Sequence, residues 1–193
     1  MDIEFSRKAI RSIGTCALSV PSFAQTCVDV LVSIIETKVN YAVQEAMVVI
    51  KDIFRCFPNQ YESIVSSLCQ SLESLDEPEA KSSFIWILGE YSDRIENSLD
   101  LLQNFMISMN DEPVSVQLQL LTAAIKLFLK SPCEAAQSLV QQILKFATAD
   151  SEHPDLRDRA YVYWRLLSRG GDAAAGVVAG SLPLPQHVNM YGR

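Results

Sequence analysis

Prolines recur along this chain at a spacing near 37 residues, and this spacing constrains the fold more than any other feature. Pro58 lies 37 residues after Pro21, and Pro132 lies 74 residues, or twice 37, after Pro58. A second set is spaced by 35 and 41 residues: Pro78, Pro113 and Pro154. Proline fits the first turn of a helix but costs about 3 kcal/mol inside one, so both sets mark breaks between helices.

Four blocks of side chains repeat with nearly the same period as the prolines. Apolar residues within them recur at i, i+4 and i+7, the pattern of one face of a helix. The blocks are VQEAMVVIKDIF (43–54), AKSSFIWILGEY (80–91), VQLQLLTAAIKLF (116–128) and LRDRAYVYWRLL (156–167). A helix pair that repeats at this period is typical of solenoid proteins. The sequence therefore predicts an all-α fold, a right-handed α-solenoid of about four and a half HEAT/armadillo-like helix pairs.

The breaks and the periodicity together place the individual helices. We expect them near residues 5–19, 22–37, 40–56, 59–74, 77–93, 95–109, 113–130, 134–149 and 154–168. The first helix has an apolar face and no helix before it to cover that face. We therefore expect residues 1–169 to be a partial solenoid, a piece of a longer one.

The composition changes at Gly170. Five of the seven glycines lie in the last 24 residues, together with Pro183 and Pro185. Glycine and proline at this density oppose regular structure. We expect residues 170–193 to form a tail with one short helix near 172–180 and disorder beyond it.

Charge and cysteine usage narrow the class of protein. The net charge of −7, from 16 basic and 23 acidic residues, disfavours broad binding to nucleic acid or to anionic membranes. No apolar run approaches the ~20 residues needed to cross a bilayer, and the N-terminus does not resemble a signal peptide. The five cysteines form no C-x-x-C pair, so we expect reduced, mostly buried thiols in a soluble intracellular protein. They are Cys16, Cys27, Cys56, Cys69 and Cys133.

The chain has no motif that predicts catalysis, a cofactor or a metal. It contains no phosphate-binding glycine loop and no G-x-S-x-G elbow, and its two histidines, His153 and His187, have no carboxylate at ligand spacing. Glu90 lies in a mostly apolar block, but general acid–base catalysis needs groups that converge in a cleft. We expect Glu90 to be an exposed or ion-paired helix residue, and the protein not to be an enzyme.

Five residues of the helical blocks are predicted to have structural roles. Asp76 and Pro78 stand at the start of a helix, where an acid can cap the positive end and proline fits the first turn. Gly89 costs about 1 kcal/mol relative to alanine inside a helix, so it predicts close approach by a neighbouring helix. Trp86 and Trp164 are predicted to pack in the core between stacked helices.

One run of mixed charge is the candidate for binding a partner. It consists of Asp155, Arg157, Asp158 and Arg159, at the start of the last long helix. Such a run either forms ion pairs within the solenoid or docks a loop of another protein.

Several long blocks of this sequence resemble the β large subunit (β-adaptin) of the clathrin-associated adaptor protein complexes, in the C-terminal part of its trunk. The blocks that carry the resemblance are FSRKAIRSIG (5–14), KVNYAVQEAMVVIKDIFRCFPNQYES (38–63), DEPEAKSSFIWILGEYSDRIEN (76–97), VQLQLLTAAIKLFLK (116–130) and HPDLRDRAYVYWRLLS (153–168). They cover most of residues 5–168 in order, so chance similarity to another solenoid is an inadequate explanation.

The resemblance implies a non-enzymatic scaffold for vesicle-mediated intracellular protein transport and endocytosis. Its implied partners are the medium, the small and the second large adaptor subunits. Clathrin would be bound only through regions absent from this chain, and the membrane only indirectly through the complex; no nucleic acid is implied. The implied location is cytoplasmic, peripheral on coated membranes of the trans-Golgi network, endosomes or plasma membrane.

Two other classes of solenoid fit the repeat alone. One is another transport solenoid, such as a coatomer large subunit or a nuclear-transport receptor. The other is a HEAT scaffold that regulates an enzyme. Binding to a nuclear-transport GTPase, or recovery of a phosphatase or kinase, would favour these alternatives.

Overall fold

The computed structural model describes residues 2–61, 64–70 and 75–180, and the regular structure among these residues is helical with no β-strand. The ten α-helices of the described residues have the following bounds: α1 Ile3–Ser19, α2 Ala24–Glu36, α3 Asn40–Cys56, α4 Val65–Gln70, α5 Pro78–Glu90, α6 Ser98–Ile107, α7 Val114–Lys130, α8 Glu134–Lys145, α9 Pro154–Ser168 and α10 Gly171–Val178. The predicted all-α class is confirmed.

The predicted helices recur in the structure with small shifts at their ends. A 3₁₀ turn over Pro21–Phe23 precedes α2, and a π-helical turn over Phe146–Asp150 continues α8. The prediction for 59–74 is met by α4 over Val65–Gln70, while residues 62–63 and 71–74 lie outside the described residues. The short helix predicted near 172–180 is α10, and the disorder predicted for 181–193 also falls outside them.

Three prolines lie at or immediately before the start of a helix, where proline is tolerated. Pro78 and Pro154 are the first residues of α5 and α9, where a missing backbone N–H costs nothing. Pro113 immediately precedes α7. Each marks a break between helices, as predicted, because the ring cannot be accommodated in a helix interior.

The described residues divide into two compact units, one up to Phe84 and one from Ile85 onward. In the first unit α1, α2 and α3 all pack on one another. In the second, α7 packs against α6, α8, α9 and α10, and α10 also packs against α9. Helices that contact both the next helix and the next but one are typical of stacked helix pairs.

Within the second unit, the C-terminal part of α5 approaches α7 very closely at Gly89. A Cβ atom at this position would lie 2.8 Å from Cα and 2.9 Å from Cβ of Ala123 in α7. Only a residue without a side chain fits there, which is the close approach that the sequence suggested for this glycine.

The prediction of mostly buried cysteines is wrong. Cys16 and Cys133 are exposed, and the other three are half-buried; all five are free thiols. Cys16 precedes the buried Ala17 in α1, and successive helical residues point about 100° apart, so Cys16 falls outside the buried stripe. Cys133 immediately precedes α8, where its Sγ accepts a hydrogen bond from the N–H of Ala136 at 3.3 Å.

No single helix of the described residues is long and apolar enough to cross a membrane. By length and composition α1 passes such a test only in combination with Pro21–Glu36, and the two segments are bent by 119°.

Candidate partner-binding surface

Helices α7 and α9 derive from the same repeat block, with Gln117 of α7 corresponding to Arg157 of α9 at an offset of 40 residues. This register aligns Leu121 with Tyr161 and Ala124 with Trp164. In α7 both positions are buried, at 0% and 1% exposure. In α9 the same positions hold aromatic side chains that are 43% and 57% exposed. The helix face that is buried in α7 is therefore exposed to solvent in α9.

One flank of α9 packs against other helices of the second unit. Leu156 and Ala160 are fully buried, and the hydroxyl of Tyr163 lies 3.1 Å from Oγ1 of Thr122 in α7. The buried pair is spaced i, i+4, so it forms a single narrow stripe along the helix. The remaining circumference of α9 carries exposed aromatic, basic and acidic side chains, with the aspartates Asp155 and Asp158 in its first turns.

Two shallow grooves border this open side of α9. The first, of about 350 Å³, is lined by Trp164 together with Gln141, Leu144, Lys145 and Thr148. The second, of about 440 Å³, is lined by Val162, Arg165, Leu166, Ser168 and Arg169. Tyr161 stacks on Trp164 with ring centroids 6.4 Å apart and an interplanar angle of 22°. We refer to Tyr161, Val162, Trp164, Arg165, Leu166 and Arg169, with Leu144 and Lys145, as the α9 surface.

The α9 surface is locally basic on an acidic chain. Lys145, Arg165 and Arg169 line the grooves, and none of the described residues that line either groove is acidic. The whole chain carries a net charge of −7.

The four charged residues proposed from the sequence lie just before this surface. Asp155, Asp158 and Arg159 are exposed in the first turns of α9, and Arg157 is half-buried. Asp155 in the first turn complements the positive end of the helix. Their role in binding a partner stays a prediction. The larger α9 surface, which the sequence argument missed, continues C-terminally from them along the same helix.

The prediction that Trp164 packs in the core is wrong, because the elements described around α9 cover only its other flank. Trp86 in α5 is half-buried, and Nζ of Lys126 lies 6.0 Å from its ring centroid, an arrangement that permits a cation–π interaction.

The joint before α5 is held by side chains of α3. Asp76 accepts a hydrogen bond from Nδ2 of Asn40 at 3.1 Å, and Oε1 of Gln44 accepts one from the N–H of Glu77 at 3.2 Å. Pro78 opens α5, so Glu77 occupies the position immediately before the helix and Asp76 lies one residue further out. The capping role predicted for Asp76 stays a prediction.

Ion pairs connect α1 with α3 and with the residue before α5 in the first unit. Arg7 of α1 forms a two-pronged pair with Glu77, and Arg11 forms another with Glu45 of α3, each with one contact at 3.1 Å. Glu45 is only 4% exposed. The hydrogen bonds to Glu77 and Glu45 raise the pKa of Arg7 and Arg11 respectively.

The second unit uses a similar pair around Glu90. Nζ of Lys126 in α7 donates to Glu90 of α5, and Nζ of Lys130 donates to the carbonyl oxygen of Glu90. The expectation that Glu90 is an ion-paired helix residue is confirmed. Among the residues that the structure describes, no group of three histidines, cysteines or carboxylates is placed to hold a metal ion.

Comparison with known proteins identifies the fold family. The model of the adaptin N terminal region matches residues 1–171. AP-1 complex subunit beta-1 of Homo sapiens is 58% identical over 184 residues, which are 95% of this chain and 19% of the relative. AP-1 complex subunit beta of Dictyostelium discoideum is 55% identical with the same coverage, and AP-2 complex subunit beta of Schizosaccharomyces pombe is 44% identical over 95% of this chain and 27% of its own length.

The matching family model corrects one sequence-based expectation. It describes the N-terminal region of adaptins, and not the C-terminal part of the trunk to which the resemblance was assigned. A helix-pair repeat identifies the kind of unit but carries little information about its distance from either end of a parent chain. The chain spans about a fifth of the length of the AP-1 relatives that it matches.

Proposed function

Because the chain belongs to the adaptin N-terminal family, we propose that it is a scaffold segment of the β subunit of a heterotetrameric clathrin adaptor complex. In this role it docks other adaptor subunits during vesicle-mediated intracellular protein transport. The observation that carries the proposal is the family match over residues 1–171, on a chain whose helices pack as stacked pairs.

The packing of each unit supports a scaffold. Paired charges join α1 to α3 and to Glu77, the residue before α5, in the first unit, and they join the end of α5 to α7 in the second. A partly buried pair fixes the rotation of one helix against another, because each charge is satisfied in only one arrangement. Helices fixed in this way present docking residues in a defined geometry, which lowers the entropy cost of association.

The curated relatives are beta subunits of AP-1 and of AP-2 complexes, so we propose assembly into a complex of one of these two types. In that complex the partners of this chain are the medium, the small and the second large subunit. We place the protein on the cytoplasmic side of coated membranes, where it contacts the membrane through the assembled complex and clathrin through other parts of the β subunit.

Co-expression tests the proposal directly. The tagged 193-residue chain is expressed with the medium, small and second large subunits of AP-1, and in parallel with the corresponding subunits of AP-2. We expect the subunits of one of the two complexes to co-purify with the chain in a defined stoichiometry, and those of the other to co-purify less.

A matched variant distinguishes docking from non-specific capture. Gly89→Leu inserts a large side chain where α5 meets the backbone of α7, so it disrupts the scaffold without altering surface charge. It should abolish co-purification. If the folded wild-type chain recovered none of the subunits, the adaptor role would be refuted.

A further inference from the structure

We propose that Cys16 and Cys27 are a modification site, a pair of thiols that hydrogen peroxide converts to a reversible disulfide between α1 and α2. The site lies within the first unit and depends on the packing of α1 against α2. The inference is independent of the adaptor role, so failure of subunit assembly would leave it intact.

The joint between α1 and α2 places the two cysteines at equal distances from the turn. Cys16 is the fourth residue back from the end of α1 at Ser19, and Cys27 is the fourth residue of α2. The 3₁₀ turn over Pro21–Phe23 connects the two helices, which pack on each other. The chain turns by 119° at this joint, so the helices separate with distance from it. Residues within one turn of the joint, as both cysteines are, lie where the helices are nearest.

Both cysteines flank the buried stripe along which α1 and α2 pack. Cys16 precedes Ala17, Cys27 precedes Val28, and each of these two apolar residues is 0% exposed. Successive helical residues point about 100° apart, so each cysteine lies to one side of its buried neighbour. Because the two helices run in opposing directions, the same step along each sequence leads to the same side of their interface. The two thiols therefore share one edge of the helix hairpin.

The surroundings of Cys27 indicate that the two thiols interact. Burial raises the pKa of Cys27, and the charge and hydrogen bonding of the neighbouring Cys16 thiol raise it further. The pKa values of Cys56 and Cys69 are raised mainly by burial, and no other thiol contributes to them. The Sγ atom of Cys133 accepts a hydrogen bond from a backbone N–H instead. Within the residues that the structure describes, Cys16 and Cys27 are thus the thiols that lie as a pair.

The two thiols supply the two electrons that reduce one hydrogen peroxide molecule. The exposed Cys16 attacks one peroxide oxygen as its thiolate and becomes a sulfenic acid, while the O–O bond breaks and hydroxide leaves as water with the proton of the thiol. The thiolate of Cys27 then attacks Sγ of Cys16, so that the S–O bond breaks, the S–S bond forms and a second water leaves. In total, two thiols and one hydrogen peroxide give one disulfide and two waters. A dithiol reductant reverses the reaction by thiol–disulfide exchange.

The disulfide would hold α1 against α2 by closing a short loop through the turn. Closing a loop restricts the unfolded chain, so a disulfide that fits the native geometry stabilises the folded state. The linkage also works in reverse, because the folded hairpin then favours the disulfide over the two thiols. A bridge that does not fit the hairpin has the opposite effect on both quantities.

Mass spectrometry of the full 193-residue chain tests the proposal, because trypsin leaves both cysteines in one peptide. Residues 12–38 follow Arg11, end at Lys38 and contain Cys16 and Cys27 but no other cysteine. The reduced chain is treated with equimolar hydrogen peroxide, and the remaining thiols are blocked with iodoacetamide before digestion. We expect the peptide to lose the mass of two hydrogens and to carry no alkyl group. Dithiothreitol should restore both thiols.

Serine substitutions separate the pair from the individual thiols. Cys27→Ser should abolish the loss of two hydrogens and leave Cys16 as a sulfenic acid, which dimedone labels. Cys133→Ser is the matched control, since it removes another exposed thiol and should leave the disulfide within residues 12–38 unchanged. Circular dichroism checks that each variant keeps its helical content.

A glutathione redox buffer tests whether the folded hairpin favours the bridge. The ratio of disulfide to dithiol in residues 12–38 is measured in the native chain and in the chain unfolded by urea, at one ratio of oxidised to reduced glutathione. We expect this ratio to be higher in the native chain by about tenfold or more. The thermal unfolding midpoint of the oxidised chain should accordingly lie above that of the reduced chain.

Three results would overturn the proposal. An equal or lower ratio of disulfide to dithiol in the native chain would show that the hairpin does not hold the thiols in a bridging geometry. Oxidation of Cys16 to sulfinic acid, with no loss of two hydrogens from the peptide, would show that Cys27 does not reach it. A disulfide between two chains in place of the internal one would assign the reaction to exposed thiols alone.

Discussion

Helices α7 and α9 derive from one repeat, yet α7 buries nine of its 17 residues and α9 buries two of its 15. The sequences differ in the same sense: where α7 has Leu121 and Ala124, α9 has Tyr161 and Trp164. Small and aliphatic side chains suit a face that is packed within the chain, whereas large amphipathic rings suit a face that meets another molecule. The same repeat register therefore accommodates both a covered helix face and an open one.

The largest change in stability is expected when position 124 of α7 receives tryptophan, the residue found at the equivalent position 164 of α9. Ala124→Trp puts an indole at a position that is 1% exposed, and we expect it to lower the free energy of unfolding by about 3 kcal/mol or more, because the packed neighbours cannot make room. Urea denaturation followed by circular dichroism measures the change. Val162→Trp, at an exposed position of α9, should alter stability by about 0.5 kcal/mol or less. Similar losses in both variants would show that α9 is as closely packed as α7.

A second variant tests the contact between α5 and α7. In Gly89→Ala the new methyl group meets the backbone of Ala123, and we expect a loss of about 1–3 kcal/mol in spite of the higher helix propensity of alanine. Gly176→Ala in α10 is the matched control, since a Cβ there has no atom within 4 Å; it should gain up to about 1 kcal/mol. Thermal unfolding of the two variants should shift in opposite directions. A gain in both would contradict the close approach.

The buried charge of α7 provides a third test. Lys126 is 5% exposed and pairs with Glu90, so Lys126→Met leaves that carboxylate without its partner. We expect a loss of about 1–2 kcal/mol, less than for a fully buried pair, because the Glu90 side chain is 29% exposed and water can reach it. Lys130→Met, which removes a more exposed lysine, should cost about 0.5 kcal/mol. Urea denaturation at low and high salt measures the free energy of unfolding of both variants. Equal losses in Lys126→Met and Lys130→Met would argue against a larger contribution from the buried pair of Lys126 with Glu90.

Removing the Trp164 side chain from α9 should hardly change the free energy of unfolding. Trp164→Ala loses the stacking on Tyr161 and little buried area, so we expect a change of about 1 kcal/mol or less. Urea denaturation checks this in the same assay as Ala124→Trp. A loss of several kcal/mol would return Trp164 to the core, as the sequence first suggested.

The smallest expected effect is on the rate at which thiols react. This rate distinguishes half-buried cysteines from exposed ones. Burial raises the pKa of the Cys56 and Cys69 thiols, so at a given pH a smaller fraction is thiolate, the form that reacts. Iodoacetamide should therefore modify Cys56 and Cys69 more slowly than the exposed Cys16 and Cys133, and their rates should rise at higher pH. Peptide mapping by mass spectrometry measures each site. Faster modification of Cys69 than of Cys133 would contradict the description.

The sequence was sufficient for the features that depend on local rules. Helix positions follow from proline breaks and a 3.6-residue periodicity, both of which act within a few residues. Gly89 could be interpreted because a glycine inside a helix needs a compensating contact.

The sequence was insufficient where burial depends on neighbours far along the chain. Trp164 and the cysteines were assigned to the core from residue type, but residue type does not say which flank of a helix is covered. One signal was available: the register of the repeat pairs Leu121 with Tyr161 and Ala124 with Trp164, a change from aliphatic to aromatic that a shared core position would not favour. Reading Arg165 and Arg169 with that register would have located the α9 surface.

Hydrogen exchange of the backbone amides in α7 and α9 measures how differently the chain covers these two helices. We expect strong protection of α7 and weak protection of α9, because α7 buries nine of its residues and α9 buries two. Equal protection of the two helices would contradict the contrast between them.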